Sequence, residues 1–227
     1  MPKKTMTAPA DRIGSEAGPA PGAAMARDGA RIVLASASAV RTRLLTAAGV
    51  PHDIVPADID EAEVRDRLLA EDATHGSIAE VLAELKALHV ATDVAPDAIV
   101  LGADQVLSCE GVLFEKPVGL EGVRGHLKQL MGKDHTLHVA VCAVRGGEVI
   151  WHHGSSATLR MRTLSEGFIE RYVATAGAAA CRSVGAYEME GMGPHLFSTI
   201  DGDFFDILGL PLLPVLEFLR NEDVVMT

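Results

Sequence analysis

A junction between a short apolar segment and a helical pattern places the strongest constraint on the fold of this chain. Residues 31–34 (RIVL) are mainly β-branched and apolar, and hydroxyl residues follow at Ser36 and Ser38. A helical pattern then opens with Arg41 and Arg43. This order predicts a strand that leads into a helix amino terminus, where free backbone N–H groups and the helix dipole attract anions. The same residues also suit an ordinary strand–helix turn with serine caps.

The composition narrows the class of protein. Of 227 residues, 48% are hydrophobic and only 4% are aromatic, a balance typical of α/β enzymes. The net charge of −11 argues against binding to a nucleic-acid polymer, which needs a basic surface. It permits a small polyanionic ligand if basic residues are concentrated at one site. Because no apolar run of about 18 residues occurs, no membrane association is expected.

The chain divides into a tail and one predicted domain. Residues 1–30 are rich in Pro, Ala and Gly without periodicity, which predicts a disordered tail rather than a secretory signal. A natural start at Met25 would remove most of it. Residues 31–227 are expected to form a single α/β domain. The widely spaced Cys109, Cys142 and Cys181 predict reduced thiols and a cytoplasmic protein.

Several local patterns predict individual elements. Ser77 and Glu80 form a capping box that predicts a helix start, with Lys86 one residue off the apolar stripe of that helix. Residues 98–103 predict a buried strand that ends at Asp104, where open α/β sheets place their ligands. An Asp at this position is also a common turn residue. A hairpin is expected at residues 146–147, and a glycine-punctuated loop at residues 177–195.

Two further patterns concern charged and metal-binding side chains. Lys116 precedes Pro117, which favours an extended backbone at the lysine, although a solvated lysine is the default interpretation. His135 and His138 are three residues apart in a predicted strand and therefore point to opposite faces. A zinc site at this pair is not expected.

Taken together, eight segments resemble the Maf family. They are residues 34–45 (LASASAVRTRLL), 60–61 (DE), 82–87 (LAELKA), 102–105 (GADQ), 115–117 (EKP), 130–135 (LMGKDH), 185–191 (GAYEMEG) and 209–212 (GLPL). The resemblance extends over about residues 31–220 in the family's order. It implies an elongated, two-lobed α/β fold similar to Maf and ITPase proteins, with a mixed sheet, flanking helices and a central nucleotide cleft. It also implies a nucleoside triphosphate pyrophosphatase that uses Mg²⁺ or Mn²⁺ and is often a homodimer, with a possible link to septum formation.

The resemblance assigns roles to individual residues. Phosphate binding falls to Ser36, Ser38, Arg41, Lys86 and Lys116, and catalysis to Asp104, Glu61 and Lys86. Asp104 and Glu61 are also the expected metal ligands, and the sequence does not separate the role of Asp104 as proton acceptor from metal ligation. The family commonly has Ser-Pro-Arg-Arg where this chain has residues 38–41 (SAVR), so the chain lacks the proline and one arginine of that motif.

Base preference depends on three positions, Val40, Gln105 and Glu190. The resemblance associates Gln and Glu at the second and third positions with a 7-methyl-GTP branch, whereas Val40 lacks the aromatic ring of that branch. A carboxylate at Glu190 can accept hydrogen bonds from guanine N1–H and N2–H₂. The sequence therefore predicts a preference for 7-methyl-GTP or another modified purine nucleotide. The alternatives are a dTTP/UTP pyrophosphatase and a non-catalytic, nucleotide-binding regulator of septum formation.

Overall fold

A computed structural model describes residues 31–226, and the predicted tail at residues 1–30 lies outside the described residues. Its centre is a seven-stranded mixed sheet with helices on both faces, which confirms the α/β class. The strands are β1 (Ile32–Leu34), β2 (Asp53–Ile54), β3 (Ile99–Cys109), β4 (Val112–Phe114), β5 (Asp134–Arg145), β6 (Glu148–Met161) and β7 (Phe197–Asp201). The α-helices are α1 (Ala39–Ala47), α2 (Glu61–Ala70), α3 (His75–Ala91), α4 (Gly119–Leu130), α5 (Glu166–Ala176), α6 (Phe204–Ile207) and α7 (Leu212–Asn221).

The strand order is β2-β1-β3-β5-β6-β7, and β4 pairs with β3. At one end, β1 runs parallel to β2 and β3. The other pairs, β3 with β4, β3 with β5, β5 with β6 and β6 with β7, are antiparallel. The predicted hairpin joins β5 to β6, and both of its central glycines have positive φ angles, 59° at Gly146 and 81° at Gly147. These angles are typical of a tight two-residue turn that glycine accommodates without strain.

The short length of β1 creates a break in the sheet. Its three residues pair with Ile99, Val100 and Leu101, and β4 does not pair with β3 until Leu107. Residues 102–106 of β3 therefore have no strand partner on this side in the described sheet. Because the chain leaves β1 towards α1 at the same point, this edge is open to side chains from several elements.

The hydrophobic core has three parts. On one face of the sheet, α1 and α7 cover the end that contains β1, while α4 and α5 cover the opposite end of the long strands. On the other face, α3 packs against alternating residues of β3 and β5. The two separate clusters on the first face correspond to the two predicted lobes, and Gln105 lies between them on β3, after Ala103 of one cluster and before Leu107 of the other.

Some local predictions were wrong in detail. The helix α3 begins at His75, and its N-cap is Thr74, whose side chain accepts from the backbone N–H of Ser77. Ser77 is therefore within the first turn, and the capping box does not mark the helix start. The sequence also gave no signal for the four-residue helix α6.

Two further expectations concern membrane association and the state of the cysteines. Within residues 31–226, no helix combines the length and apolarity needed to cross a membrane. Cys109 and Cys142 are buried, Cys181 is half-buried, and all three are free thiols.

Candidate active site

Asp104 lies in the middle of β3 and not at its end. The prediction that the strand ends there was wrong, because β3 continues to pair with β5 as far as Ser108. The strand whose carboxyl end lies near Asp104 is β1, which stops at Leu34 opposite Leu101. Asp104 follows just beyond this break, where its side chain is buried. It shares a face of β3 with Val100 and Val106, which pack under α3.

Lys86 extends from the centre of the buried face of α3. It follows Ile78 and Leu82 at four-residue spacing, and all three are buried. The prediction that Lys86 lies at the edge of an apolar stripe was therefore wrong, since Val81 and Leu85 are only half-buried. A hydrophobicity pattern counts lysine as polar, although its aliphatic stem can pack like an apolar side chain. The Nζ atom donates to Asp104 Oδ1 over 2.5 Å.

Gly102 allows this contact between helix and strand. A Cβ atom at Gly102 would lie 2.1 Å from the carbonyl oxygen of Ala83 and 2.7 Å from the backbone nitrogen of Ala87. The backbone of α3 therefore rests directly on β3, and any side chain at position 102 would push the two apart. The close approach brings Lys86 within reach of Asp104, two residues further along the strand.

Glu61 completes what we call the Lys86 cluster, the group formed by Glu61, Lys86 and Asp104. It is the first residue of α2, whose N-cap Asp60 accepts from the backbone N–H of Glu63. Glu61 Oε1 lies 2.8 Å from Lys86 Nζ, and its side chain is 50% exposed, whereas those of Lys86 and Asp104 are 9% and 8% exposed. The cluster is thus buried on the Asp104 side and opens to solvent on the Glu61 side.

The amino terminus of α1 adjoins this region and confirms the predicted strand–helix junction. Ser38 is the N-cap, and its side chain accepts from the backbone N–H of Arg41. Ser36 Oγ accepts from the backbone N–H of Ser38 at 3.3 Å. The helix terminus therefore presents two hydroxyl groups together with the positive end of its dipole.

Arg41 is buried and braces the open edge of β3. Its Nη1 donates to Ser36 Oγ over 2.9 Å and to the carbonyl of Ala103 over 2.8 Å, and its Nε donates to the carbonyl of Gly209 over 2.7 Å. Burial lowers the pKa of the guanidinium, and the charges of Asp104 and Glu61 oppose that effect. Arg41 thus links β1, β3 and the turn before α7, and much of its donor capacity is used inside the protein.

Lys116 is exposed on the segment between β4 and α4. Among residues 31–226, it makes no hydrogen bond or ion pair. The preceding residue, Glu115, forms an ion pair with Arg65 of α2, the helix that begins with Glu61. The structure therefore connects the Lys116 segment to α2 while leaving the Lys116 ammonium group available.

Gln105 faces the side of β3 opposite to Asp104. Its Nε2 donates to the carbonyls of Asp206 over 2.8 Å and Ile207 over 3.2 Å. Both amide protons are therefore used to hold the end of α6, and the sequence did not indicate this structural role. Val40, another of the three positions predicted to set base preference, is half-buried in the first turn of α1.

Glu190 lies beside α1, where its carboxylate forms an ion pair with Arg43. The pair joins residues that are 147 positions apart in the sequence and lie in the two different lobes. Sequence reasoning included Arg43 only as general positive charge. Arg43 is three residues after Val40, and residues three apart share a helix face. This spacing could have indicated that Arg43 lies near the position predicted to set base preference.

The loop that carries Glu190 has a densely packed base. A Cβ atom at Gly185 would lie 2.2 Å from the ring of Tyr187, and one at Gly193 would lie 2.5 Å from the carbonyl of Glu188. The hydroxyl of Tyr187 contacts His135 Nε2 at 2.9 Å. These contacts explain Gly185, Gly193 and the histidine at the start of β5. They fix the backbone from which Glu190 projects.

His135 and His138 do not converge, as the strand geometry predicts. His135 packs against Tyr187 and Phe197, whereas His138 contacts Ser108 and His75 on the other face. Burial lowers the pKa of His135 to about 4. These two histidines are therefore parts of separate packing arrangements.

Two carboxylates, those of Glu61 and Asp104, are the candidate donors for a divalent cation. Within residues 31–226, no group of three or more His, Cys, Asp or Glu side chains could hold a metal ion. Glu61 and Asp104 nevertheless converge on one point, the ammonium group of Lys86. Mg²⁺ is typically bound by one or two carboxylates, with substrate phosphates and water as the other ligands. The residues present therefore fit a metal that arrives with a phosphorylated substrate.

The fold and the site together define a mixed α/β protein with a lysine–carboxylate cluster beside an anion-attracting helix terminus. The profile of the Maf-like protein family matches residues 31–222, and the chain belongs to this family. It is 47% identical over 190 residues to a "Nucleoside triphosphate pyrophosphatase" of Paramagnetospirillum magneticum, covering 84% of this chain and 97% of that protein. It is 45% identical over 195 residues to a "7-methyl-GTP pyrophosphatase" of Brucella abortus, covering 86% and 98% respectively.

Proposed function

We propose that this Maf-like protein is a nucleoside triphosphate pyrophosphatase, which converts a nucleotide and water to the nucleoside monophosphate and pyrophosphate. The observation that carries the proposal is the Lys86 cluster, a buried ammonium held between two carboxylates beside the Ser38-capped terminus of α1. Phosphoanhydride hydrolysis depends mainly on charge stabilisation and on an aligned water molecule. The cluster supplies an ammonium group that can stabilise negative charge and carboxylates that can orient the water molecule.

The phosphate chain binds between the α1 terminus and the Lys86 cluster in this proposal. Ser36 and Ser38 provide hydroxyl groups and Arg41 adds positive charge behind them, although three of its hydrogen bonds are made to the protein. Lys86 and Lys116 contribute ammonium groups from two further elements. Lys116 is suited to the outer phosphates because its side chain is exposed and unpaired among the described residues.

Asp104 is the proton acceptor in the proposed reaction. A water oxygen forms a bond to the α-phosphorus, the bond from this phosphorus to the α–β bridging oxygen breaks, and the water proton passes to Asp104. The departing electron pair remains on the pyrophosphate. Lys86 holds the Asp104 carboxylate in place and offsets the negative charge that develops in the transition state.

Glu61 and Asp104 would hold a divalent cation, Mg²⁺ or Mn²⁺. When bound, the cation supplies charge neutralisation for the phosphate oxygens and lowers the pKa of bound water. The exposure of Glu61 leaves that side of the cluster accessible to a metal–nucleotide complex.

The base preference that we propose is 7-methyl-GTP or another modified purine nucleotide. The relatives named 7-methyl-GTP pyrophosphatase in Brucella abortus and Mesorhizobium japonicum, 45% and 46% identical, support this choice. So does the carboxylate of Glu190, which suits the N–H donors of guanine. A dTTP/UTP preference is the alternative. A cytoplasmic location and a homodimeric state also stay predictions.

The test is a hydrolysis assay with the purified full-length chain. We expect release of monophosphate and pyrophosphate from 7-methyl-GTP with Mg²⁺ or Mn²⁺, and loss of this activity with excess EDTA that is reversed by added metal. The kcat/KM values for 7-methyl-GTP, dTTP and UTP decide the base preference. Release of inorganic phosphate instead of pyrophosphate, or no turnover of any nucleotide, would refute the proposed function.

A further inference from the structure

The Arg43–Glu190 pair places a hydrogen-bond donor beside the carboxylate expected to contact the base. The side chains are 57% and 40% exposed, so a ligand can reach both. Arg43 is three residues after Val40 on α1, and Glu190 projects from the packed loop of the opposite lobe. Two of the three predicted base-specificity positions, Val40 and Glu190, are therefore within about one helical turn of the Arg43 guanidinium.

We propose that Arg43 and Glu190 act together as a reader of the guanine Watson–Crick edge, a role that rests on the proposed function. Glu190 accepts from N1–H and N2–H₂, and Arg43 donates to O6. Glu190 alone has no donor, so the O6 carbonyl would lose its hydrogen bond to water without a replacement. Arginine is well suited to this contact because guanidinium donors pair readily with guanine O6.

Gln105 is poorly placed to supply the donor for O6. Both protons of its amide group are directed at the carbonyls of Asp206 and Ile207, on the face of β3 opposite to Asp104. Releasing them would leave two backbone carbonyls without those bonds. The guanidinium of Arg43 is exposed and keeps further N–H groups beyond the one that contacts Glu190.

The Arg43–Glu190 pair is expected to discriminate among bases by the donors and acceptors on their Watson–Crick edges. Adenine presents a donor at its 6-position and an acceptor at N1, so both partners of the pair would face a group of the same kind. Uracil satisfies Arg43 and one oxygen of Glu190, but its O2 carbonyl faces the carboxylate. Guanine and 7-methylguanine share the matching edge. We therefore expect the order of preference guanine, uracil, adenine.

The experiment measures binding by the full chain with calorimetry in excess EDTA, where no metal-dependent turnover is expected, using GTP and 6-thio-GTP as probes. Sulfur replaces only the O6 acceptor in 6-thio-GTP and is a weaker acceptor. In Arg43→Met, we expect the Kd for GTP to rise about tenfold or more, while the Kd for 6-thio-GTP rises less than about threefold. Arg43→Lys, which keeps a donor, recovers part of the GTP affinity. Arg171→Met, an equal change of charge on the exposed face of α5, leaves both Kd values unchanged.

The proposal is overturned if Arg43→Met weakens GTP and 6-thio-GTP equally, or if neither Kd changes. It is also overturned if the wild-type chain does not distinguish GTP from ATP. Because the readout is binding, it is independent of turnover. A chain that binds GTP through Arg43 but releases no pyrophosphate would uphold this inference while refuting the proposed function.

Discussion

Lys86 illustrates how a single buried charge can connect stability with chemistry. An ammonium ion removed from water is stabilised only by close partners, and Asp104 and Glu61 provide two carboxylates within 2.8 Å. Neither carboxylate can therefore be considered separately from the lysine. Substitutions that keep the hydrogen bonds but remove a charge are the informative ones at this site.

Asp104→Asn is the sharpest substitution in the cluster. The amide oxygen can still accept from Lys86, so we expect the Tm to stay within a few degrees of the wild type. Because the variant has neither a proton acceptor nor a metal carboxylate at this position, kcat falls at least about 100-fold. Circular dichroism and a pyrophosphate-release assay measure the two effects. A variant with near wild-type turnover would place the chemistry elsewhere.

Lys116→Ala tests a side chain that makes no polar contact among the described residues. We expect no change in unfolding free energy beyond about 0.5 kcal/mol, since surface substitutions of this kind rarely exceed that value. The KM for a triphosphate rises, while the Kd for the corresponding monophosphate is unaffected. Lys128→Ala, which removes an exposed ammonium of α4 that pairs with Glu166, is the control for the loss of one positive charge. Equal effects on both nucleotides would exclude contact with the outer phosphates.

At the scale of elements, the packing of α3 against β3 sets the geometry of the cluster. Gly102→Ala introduces a methyl group 2.1 Å from a backbone oxygen. Helix and strand must then separate, which we expect to cost about 1–3 kcal/mol of unfolding free energy and to move Lys86 away from Asp104. The free energy of unfolding, measured with denaturant, and kcat are therefore both expected to decrease.

Gly125→Ala is the control for this substitution. It lies inside α4, where an added Cβ would contact nothing within 4 Å. Its higher helix propensity is expected to raise stability by up to about 1 kcal/mol without changing kcat. If Gly102→Ala behaved in the same way, close contact between α3 and β3 would not be required for the site.

The contact between β5 and the Glu190 loop makes stability depend on pH. Burial lowers the pKa of His135 from 6.5 to about 4 in the folded state, so the unfolded chain binds more protons between these values. The free energy of unfolding therefore decreases as the pH falls from 6.5 to 4, by up to about 3 kcal/mol from this residue. Urea unfolding at several pH values should show a shallower slope in this window for His135→Gln than for His89→Gln, an exposed control on α3. Equal slopes for the two variants would contradict the assignment of this pH dependence to His135.

For the molecule as a whole, residues 1–24 are expected to be dispensable. The family match begins at residue 31, and the composition of the tail offers little apolar surface for a core. A chain that starts at Met25 should keep the Tm and kcat/KM of the full-length protein within experimental error. A clear drop in either value would show that the tail contributes to the folded protein.

Two arginines of α1 make polar contacts near the middle of β3. Arg41 donates to the carbonyl of Ala103 on β3 and to that of Gly209 before α7, and Arg43 pairs with Glu190. Both arginines belong to one nine-residue helix. The same helix therefore carries the proposed phosphate contacts at its capped end and the proposed base contact one turn later.

The features of this protein that depend on local interactions could be predicted from its sequence. Ser38 caps α1, and the 146–147 hairpin connects β5 to β6, both as predicted. Capping and positive φ angles act within a few residues, so they can be inferred from neighbouring letters. Membership of the Maf family was also predicted correctly, because its motifs occur in the expected order.

Contacts between residues that are distant in the sequence depend on tertiary packing and were not predicted. Asp104 lies in mid-strand because β5 extends the pairing of β3 beyond the end of β1. Lys86 is central because the face of α3 that packs on β3 is chosen by small residues such as Gly102, not by the apolar stripe of the helix alone. The Arg43–Glu190 pair joins positions 147 residues apart. Such contacts follow from how whole elements pack, and no local propensity encodes them.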